Sequence, residues 1–282
     1  MQALASKDPA VEEWADRRFF RPAGWRIARA LAPTRVTPDA VTLASLVVGL
    51  VAGHLFWYTG AWINAAGVLL FVASDVLDSA DGQLARLRGT STRTGRILDG
   101  VSDSLRFLNL YATLAARLLV TRGWGGAALA LAALLSHTYQ AAAADYIRQA
   151  YLYFAVGKGS ELDLPEAAQP PPGAGSVWER ISGWLYLDYV RRQAWLFPRT
   201  TALVRARVVR ADWAERQAPL VAACAWIAQN IRFALLAVTA VPGWPAAYCW
   251  VIVGPLNVVL VALILVHERR AARELPVHAQ LA

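Results

Sequence analysis

Apolar stretches of about 20 residues recur along most of this chain, and no other feature constrains its fold as much. The first runs from Asp39 to Tyr58. The second begins at Trp62 and carries Asp75, Asp78 and Asp81 at its far end. The third starts near Gly95 with Asp99 and Asp103 and runs to about Val120. The fourth ends near Phe154, the fifth covers about Pro219–Val241, and the sixth ends near His267. Turn signals separate them at Thr59-Gly60, at Gly123-Trp124-Gly125-Gly126 and at Val241-Pro242-Gly243-Trp244-Pro245. With 57% hydrophobic residues and a mean hydropathy of +0.36, the chain is too apolar for an ordinary soluble domain. The sequence predicts an all-α integral membrane protein with six transmembrane helices.

Residues 1–37 precede the spans. Asp8-Pro9 reads as a helix start. Trp14, Phe19, Phe20, Trp25, Ile27 and Leu31 then alternate with Arg17, Arg18, Arg21, Arg26 and Arg29, the pattern of an amphipathic helix in the membrane interface. A helix packed on the core is the competing reading. The first 30 residues are charged and hold no apolar h-region, so no secretory signal is expected. Thr37-Pro38 is an N-cap followed by a first-turn proline.

Charge then sets the expected topology. The formal net charge is +8, and the cations are nearly all Arg. They gather in the N-terminal segment, in 82–98, in 157–216 and at the C-terminus, whereas the opposite turns hold only Arg122. By the positive-inside rule both termini and the acidic stretch face the cytoplasm of a bacterial-type inner membrane. Trp57, Trp62, Trp124 and Trp244 mark the opposite interface as an aromatic belt. Basic residues that flank spans argue for membrane lipids as partners and against nucleic acid. Cys224 and Cys249 fall within spans and read as small core residues, with no disulfide framework.

The chemistry lies in DVLDSADGQLARLRGTSTRTGRILDGVSD, residues 75–103. Asp78 and Asp81 are three apart, and Asp99 and Asp103 are four apart. Both spacings put side chains on one helix face. The two helices are expected to be joined by a short loop carrying Gly82, Arg86, Arg88, Gly89, Arg93, Gly95 and Arg96. Paired carboxylates on a soluble helix usually mean a solvated face. Within membrane spans they are costly and point to function. At 1.5 Å per residue from the outer turns, Asp78, Asp81, Asp103 and Asp99 lie roughly 24, 28, 27 and 33 Å deep, a similar level near the inner edge of a bilayer core of about 30 Å. Clustered carboxylates repel unless cations lie between them, and hard divalent ions take oxygen ligands. Two such ions about 3.5–4 Å apart are a common device of phosphoryl chemistry.

Asp78-x-x-Asp81-Gly82-x-x-Ala85-Arg86, eight residues, Gly95, then x-x-x-Asp99-x-x-x-Asp103 resembles the signature of the CDP-alcohol phosphotransferase family at every specified position. The six-span layout resembles the family too. The resemblance implies an enzyme of phospholipid biosynthesis: an alcohol oxygen attacks the phosphorus distal to cytidine in a CDP-linked donor, and CMP leaves. It implies two divalent cations, Mg²⁺ or Mn²⁺, held by Asp78, Asp81 and Asp99. It implies that Asp103 lies beside the pair, as a further metal-site carboxylate and as general base. It also implies a homodimer. Gly82 and Gly95 would let a nucleotide approach the backbone or helices pack closely. Arg86 would clamp phosphate oxygens or snorkel to the interface.

Other polar residues lie outside the signature. Asp75 is one step further along the same stripe and is a candidate to support the metal ligands. Arg106 shares the face of Asp103, where it would either counter the acidic cluster or hold an acceptor phosphate. Asp145 and Arg148 lie in the inner part of the fourth span, as acceptor-site candidates or as a simple pair, together with His137 and Gln140. Gln229, Asn230 and Arg232 fall near mid-membrane in the fifth. A charge there needs a cavity or a partner.

The expected organisation is an interfacial segment 1–37, a catalytic membrane domain 38–268 and a tail 269–282. The domain is interrupted by a cytoplasmic insertion, 157–216, whose part 160–175 reads as a Pro- and Ala-rich linker and the rest as surface amphipathic helix. The expected reaction is phosphatidyl transfer from CDP-diacylglycerol to a small polar alcohol, with glycerol phosphate, inositol phosphate and serine all open. A CDP-linked amino alcohol with diacylglycerol is the alternative pairing. An ion-coupled transporter and a silent scaffold are the rivals of other classes.

Overall fold

A computed structural model of the chain describes residues 11–90, 92–156, 162–168, 177–206 and 213–274; the Asp8-Pro9 helix start lies outside them. Regular structure among the described residues is entirely helical. A π turn, Asp16–Phe20, leads into α1 (Arg21–Leu31), followed by α2 (Pro38–Leu55), α3 (Ala61–Arg88) and α4 (Arg93–Tyr151). Then come α5 (Val177–Leu196), α6 (Pro198–Arg205), α7 (Trp213–Ala223), α8 (Gln229–Thr239), α9 (Pro245–Val253) and α10 (Pro255–Ala272).

Among the described residues, five stretches are long and apolar enough to cross a bilayer: Pro38–Leu55, Ala61–Arg88, Leu98–Phe154, Arg216–Thr239 and Pro245–Ala272. The count is five and not six because the third and fourth expected spans run on as one 57-residue stretch. At 1.5 Å per residue that stretch is about 85 Å long, nearly three times a bilayer core. It is broken at Gly123, whose φ of 69° and ψ of −164° are not helical.

Residues 1–136 and 229–254 form one compact unit, and residues 137–228 and 255–282 form another. The first contains the acidic stretch. Thr37 caps α2 by accepting the Ala40 N–H at 3.2 Å. α2 turns its small residues inward: Thr42, Ser45, Gly49, Ala52 and Gly53 are all buried. A Cβ on Gly53 would lie 3.2 Å from the Leu110 backbone, so α2 and α4 approach closely there. α1 packs on the C-terminal half of α3, where a Cβ on Gly24 would meet Ser79 Cβ at 2.9 Å. Ala28, Val41, Ala80 and Leu84 are the buried centre of that contact. Phe71 stacks with Phe56, Phe107 and Phe233 at 5.7–6.3 Å, joining α2, α3, α4 and α8. Trp57, Trp62, Trp124 and Trp244 are exposed.

Three local expectations need correction. Gly82, Arg86 and Arg88 are in helix, not loop, because α3 runs on to Arg88, and Arg93, Gly95 and Arg96 are in helix because α4 starts at Arg93. Arginines suit the negative end of a helix, and the stop comes at Gly89, left-handed at φ 67°, with Thr90 N–H returning to Ala85 O at 2.9 Å. Arg88 reaches back to the α1–α2 connection, donating to the carbonyls of Leu31, Ala32, Thr34 and Val36. The fifth span is interrupted by a 3₁₀ turn, Cys224–Ile227, and by extended Ala228. The last span breaks at Gly254, just before Pro255, which has no N–H to continue the helix.

In the second unit Tyr146 stacks on Phe197 at 4.7 Å, and His267 sits edge-on between Phe197 and Trp213. Within the expected linker 160–175, residues 162–168 form a packed turn rather than a loose tether. Ala168 is buried against Leu187 and Val190, and Tyr186 donates to Asp163 at 2.5 Å. Apolar Leu162 and Ala168 give this stretch something to bury. The proline run 170–172 lies outside the described residues.

Candidate metal centre

α3 presents Asp75, Asp78 and Asp81, and α4 presents Asp99 and Asp103. Asp78, Asp81 and Asp99 each offer a carboxylate oxygen, and these atoms lie within 4.8 Å of one another. Two oxygens on opposite sides of a Mg²⁺ ion are about 4 Å apart. Modest side-chain adjustment would close the group on a cation. Hard oxygen donors on two helices, with Asp81 only 5% exposed, could hold a divalent ion.

Neighbouring elements fix these groups. Thr42 on α2 donates to Asp81 Oδ2 at 2.5 Å. Asp103, expected with the ligands, lies outside the three-residue group. Its carboxylate meets the guanidinium of Arg106, as do Asp75 at 3.3 Å and Asp78 at 2.9 Å. Asp75 also accepts from Gln229 Nε2 at 2.5 Å. The break before α8 therefore brings a neutral donor to the acidic stripe. Asn230 beside it donates to Glu13 and Asp16.

The other signature residues lie on the same two helices. A Cβ on Gly82 would sit 3.4 Å from Arg86 Nη1, so the Arg86 guanidinium lies over Gly82. Gly95 donates its N–H to Thr92 Oγ1 at 3.0 Å, which caps the start of α4, and a Cβ there would lie 4.0 Å from Asp39.

Asp145 and Arg148 belong to the second unit. Asp145 accepts from Tyr189 at 2.8 Å and from Gln193 at 3.1 Å. Burial first, and then the Asp145 charge, pushes the Tyr189 hydroxyl above its ordinary range, so it stays a donor.

Reasoning from the sequence did not single out Thr42, Ser74 or Gly49, and it gave Gln229 no role. A signal existed for some of them. Thr42, Ser45 and Gly49 form a small and polar stripe at helical spacing on an otherwise apolar span.

The comparisons agree with this geometry. The phosphatidylinositol phosphate synthase of Mycobacteroides abscessus is 34% identical over 116 residues, which cover 39% of this chain and 48% of that relative. The archaetidylinositol phosphate synthase of Pyrococcus horikoshii is 34% identical over 80 residues, 28% of this chain and 41% of the relative. The cardiolipin synthase (CMP-forming) of Oryza sativa subsp. japonica is 35% identical over 95 residues, 32% and 29% of the two chains. The chain spans less than half the length of each of these relatives. A family model described as CDP-alcohol phosphatidyltransferase matches residues 35–158, from the start of α2 to just past α4, and with it every carboxylate of the cluster. Residues 35–158 are thus the part of the chain that resembles a CDP-alcohol phosphatidyltransferase domain.

Proposed function

We propose that the chain is an integral membrane enzyme of phospholipid biosynthesis. It transfers a phosphatidyl group from CDP-diacylglycerol to a small polar alcohol and releases CMP. The observation that carries this reading is the convergence of the Asp78, Asp81 and Asp99 oxygens inside the family-matched segment. Asp78, Asp81 and Asp99 hold two divalent cations, Mg²⁺ or Mn²⁺. Such ions, when bound, neutralise a diphosphate and ease departure of its leaving group.

The chain's own residues do the rest. Asp103, 39% exposed, is the open carboxylate of the set and takes the proton of the acceptor hydroxyl. Arg86, lying over Gly82, holds phosphate oxygens through its fork. Gly95 leaves the start of α4 clear for the nucleotide. Two of the relatives described above are named as inositol phosphate lipid synthases, so inositol phosphate is the first acceptor to try.

We further propose six crossings, with the Gly123 break as the turn between the third and fourth. The stretch before α2 lies in the interface, where Trp14 and Phe19 are exposed. Both termini and the site are cytoplasmic, and the working form is a homodimer. Residues 38–268 make up the membrane domain, with 157–216 as an insertion on its cytoplasmic side. Broken spans also occur in ion-coupled transporters, which makes that the second reading.

The test is CMP release by the purified chain in detergent. CDP-diacylglycerol, Mg²⁺ or Mn²⁺, and one acceptor at a time are supplied, with Asp103→Asn as control. Metal-dependent release with one acceptor, lost in the control, is expected. No release with any acceptor moves the panel to CDP-linked amino alcohols with diacylglycerol. Failure there, with metal-coupled ion flux in vesicles, would favour the transporter.

A further inference from the structure

The acidic site contains a cation of its own. Arg106 on α4 is 1% exposed. Its Nη1 donates to Ser74 Oγ at 2.7 Å and reaches Asp75 Oδ1 at 3.3 Å. Its Nη2 donates to Asp78 Oδ1 at 2.9 Å and meets Asp103 Oδ1 as well. One guanidinium therefore ties a carboxylate of the three-residue group to the carboxylate assigned the proton.

The surroundings form a socket for this side chain. Ser74 is held by its own hydrogen bond to Ser45 O at 2.8 Å. A Cβ on Gly49 would come 2.3 Å from Arg106 Cδ and 2.7 Å from Cγ, so any larger residue displaces the stem. Gln229 holds Asp75 from the far side. Neither Asp75 nor Arg106 is part of the family signature. A bare guanidinium beside a cation site would repel the ion, whereas one engaged by a hydroxyl and three carboxyl groups holds those groups in place. A carboxylate held at one oxygen still offers the other to an ion, and groups that orient metal ligands are worth about 10–100-fold in affinity.

We infer that Arg106 is a positioning residue whose fork, rather than its charge, orients Asp78 and Asp103 for the divalent cations. This rests on the metal-dependent function proposed above. Lysine keeps the charge but lacks the planar fork that serves Ser74 and three carboxylates at once.

Mn²⁺ binding to the purified full-length chain in lipid nanodiscs, read as loss of the free-ion electron paramagnetic resonance signal, tests this without reference to activity. Arg106→Lys should weaken Mn²⁺ binding about 10-fold or more. Gly49→Ala, which leaves every charge and donor in place, should do the same and decides the matter if Arg106→Lys fails to fold. Arg117, 5% exposed and bonded to Phe56 O at 2.9 Å, supplies a control for lost packing alone. Arg117→Lys should leave the affinity within about 2-fold of wild type, well short of the supporting-partner range. Wild-type affinity in both Arg106→Lys and Gly49→Ala overturns the inference, as does an equal loss in Arg117→Lys. A wild-type chain that binds no Mn²⁺ overturns the proposed metal site itself, and this inference with it.

Discussion

The two units of this protein partner their carboxylates in opposite ways. In the second, Glu268 of α10 is capped by neutral donors. It accepts the N–H of Arg199 at 2.8 Å, the N–H of Thr200 at 3.1 Å and the Thr200 hydroxyl at 2.7 Å, at the start of α6. Asp145 is treated likewise by Tyr189 and Gln193. In the first unit, carboxylates are brought against one another, with Thr42 and Gln229 as neutral donors and Arg106 as a shared cation. A carboxylate completed by neutral donors holds structure together. Carboxylates crowded together raise the folded state's energy until a cation arrives.

The sharpest way to break this comparison is Asp81→Asn. In the first unit it should reduce metal-dependent CMP release by more than about 100-fold, beyond what losing a ligand's supporting partner costs. It should also raise the melting temperature in chelator, since one repelling charge is gone. A fall in melting temperature would contradict the account of the cluster. Glu268→Ala should do the reverse. It leaves the buried N–H and hydroxyl of Thr200 without this acceptor and should cost about 2–3 kcal/mol of stability, while Mn²⁺ affinity stays unchanged in the folded fraction. Thermal melts with and without metal would show both signs. Thr42→Val is smaller. It strips Asp81 of its side-chain donor and should weaken Mn²⁺ binding about 10-fold with little change in the chelator melt. An unchanged affinity would make Thr42 a packing residue.

Much of the first unit was legible because its signals are local. Thr37-Pro38 specified a helix start, and the Asp spacing put each pair on one face. The end of α3 was not legible, since a Gly- and Arg-rich stretch reads as loop until the partners of Arg88 are known. Those carbonyls lie up to 57 residues away in sequence. The break before α8 was hidden for the same reason. Its apolar residues continue without a stop, and the bond from Gln229 to Asp75 joins residues 154 apart. The packed turn at 162–168 was masked by the proline-rich composition around it. Of the candidate site, residue identity and helical face were readable. The way Arg106 and α2 complete it depends on packing between helices, which no periodicity encodes.

The grip of Arg88 on the α1–α2 connection also sets an order of assembly. Val36 leaves the ribosome 52 residues before the side chain that will hold its carbonyl. At about 5–20 residues per second that interval lasts roughly 3–10 s. Until it ends, the carbonyls of Ala32, Thr34 and Val36 must rely on water or lipid headgroups for hydrogen bonds, while that of Leu31 has Thr34 as a local donor. The N-terminal helix is therefore secured only once α3 has been synthesised to its last residue. By then Asp75, Asp78 and Asp81 are already in the nascent chain, and Asp99 and Asp103 are not.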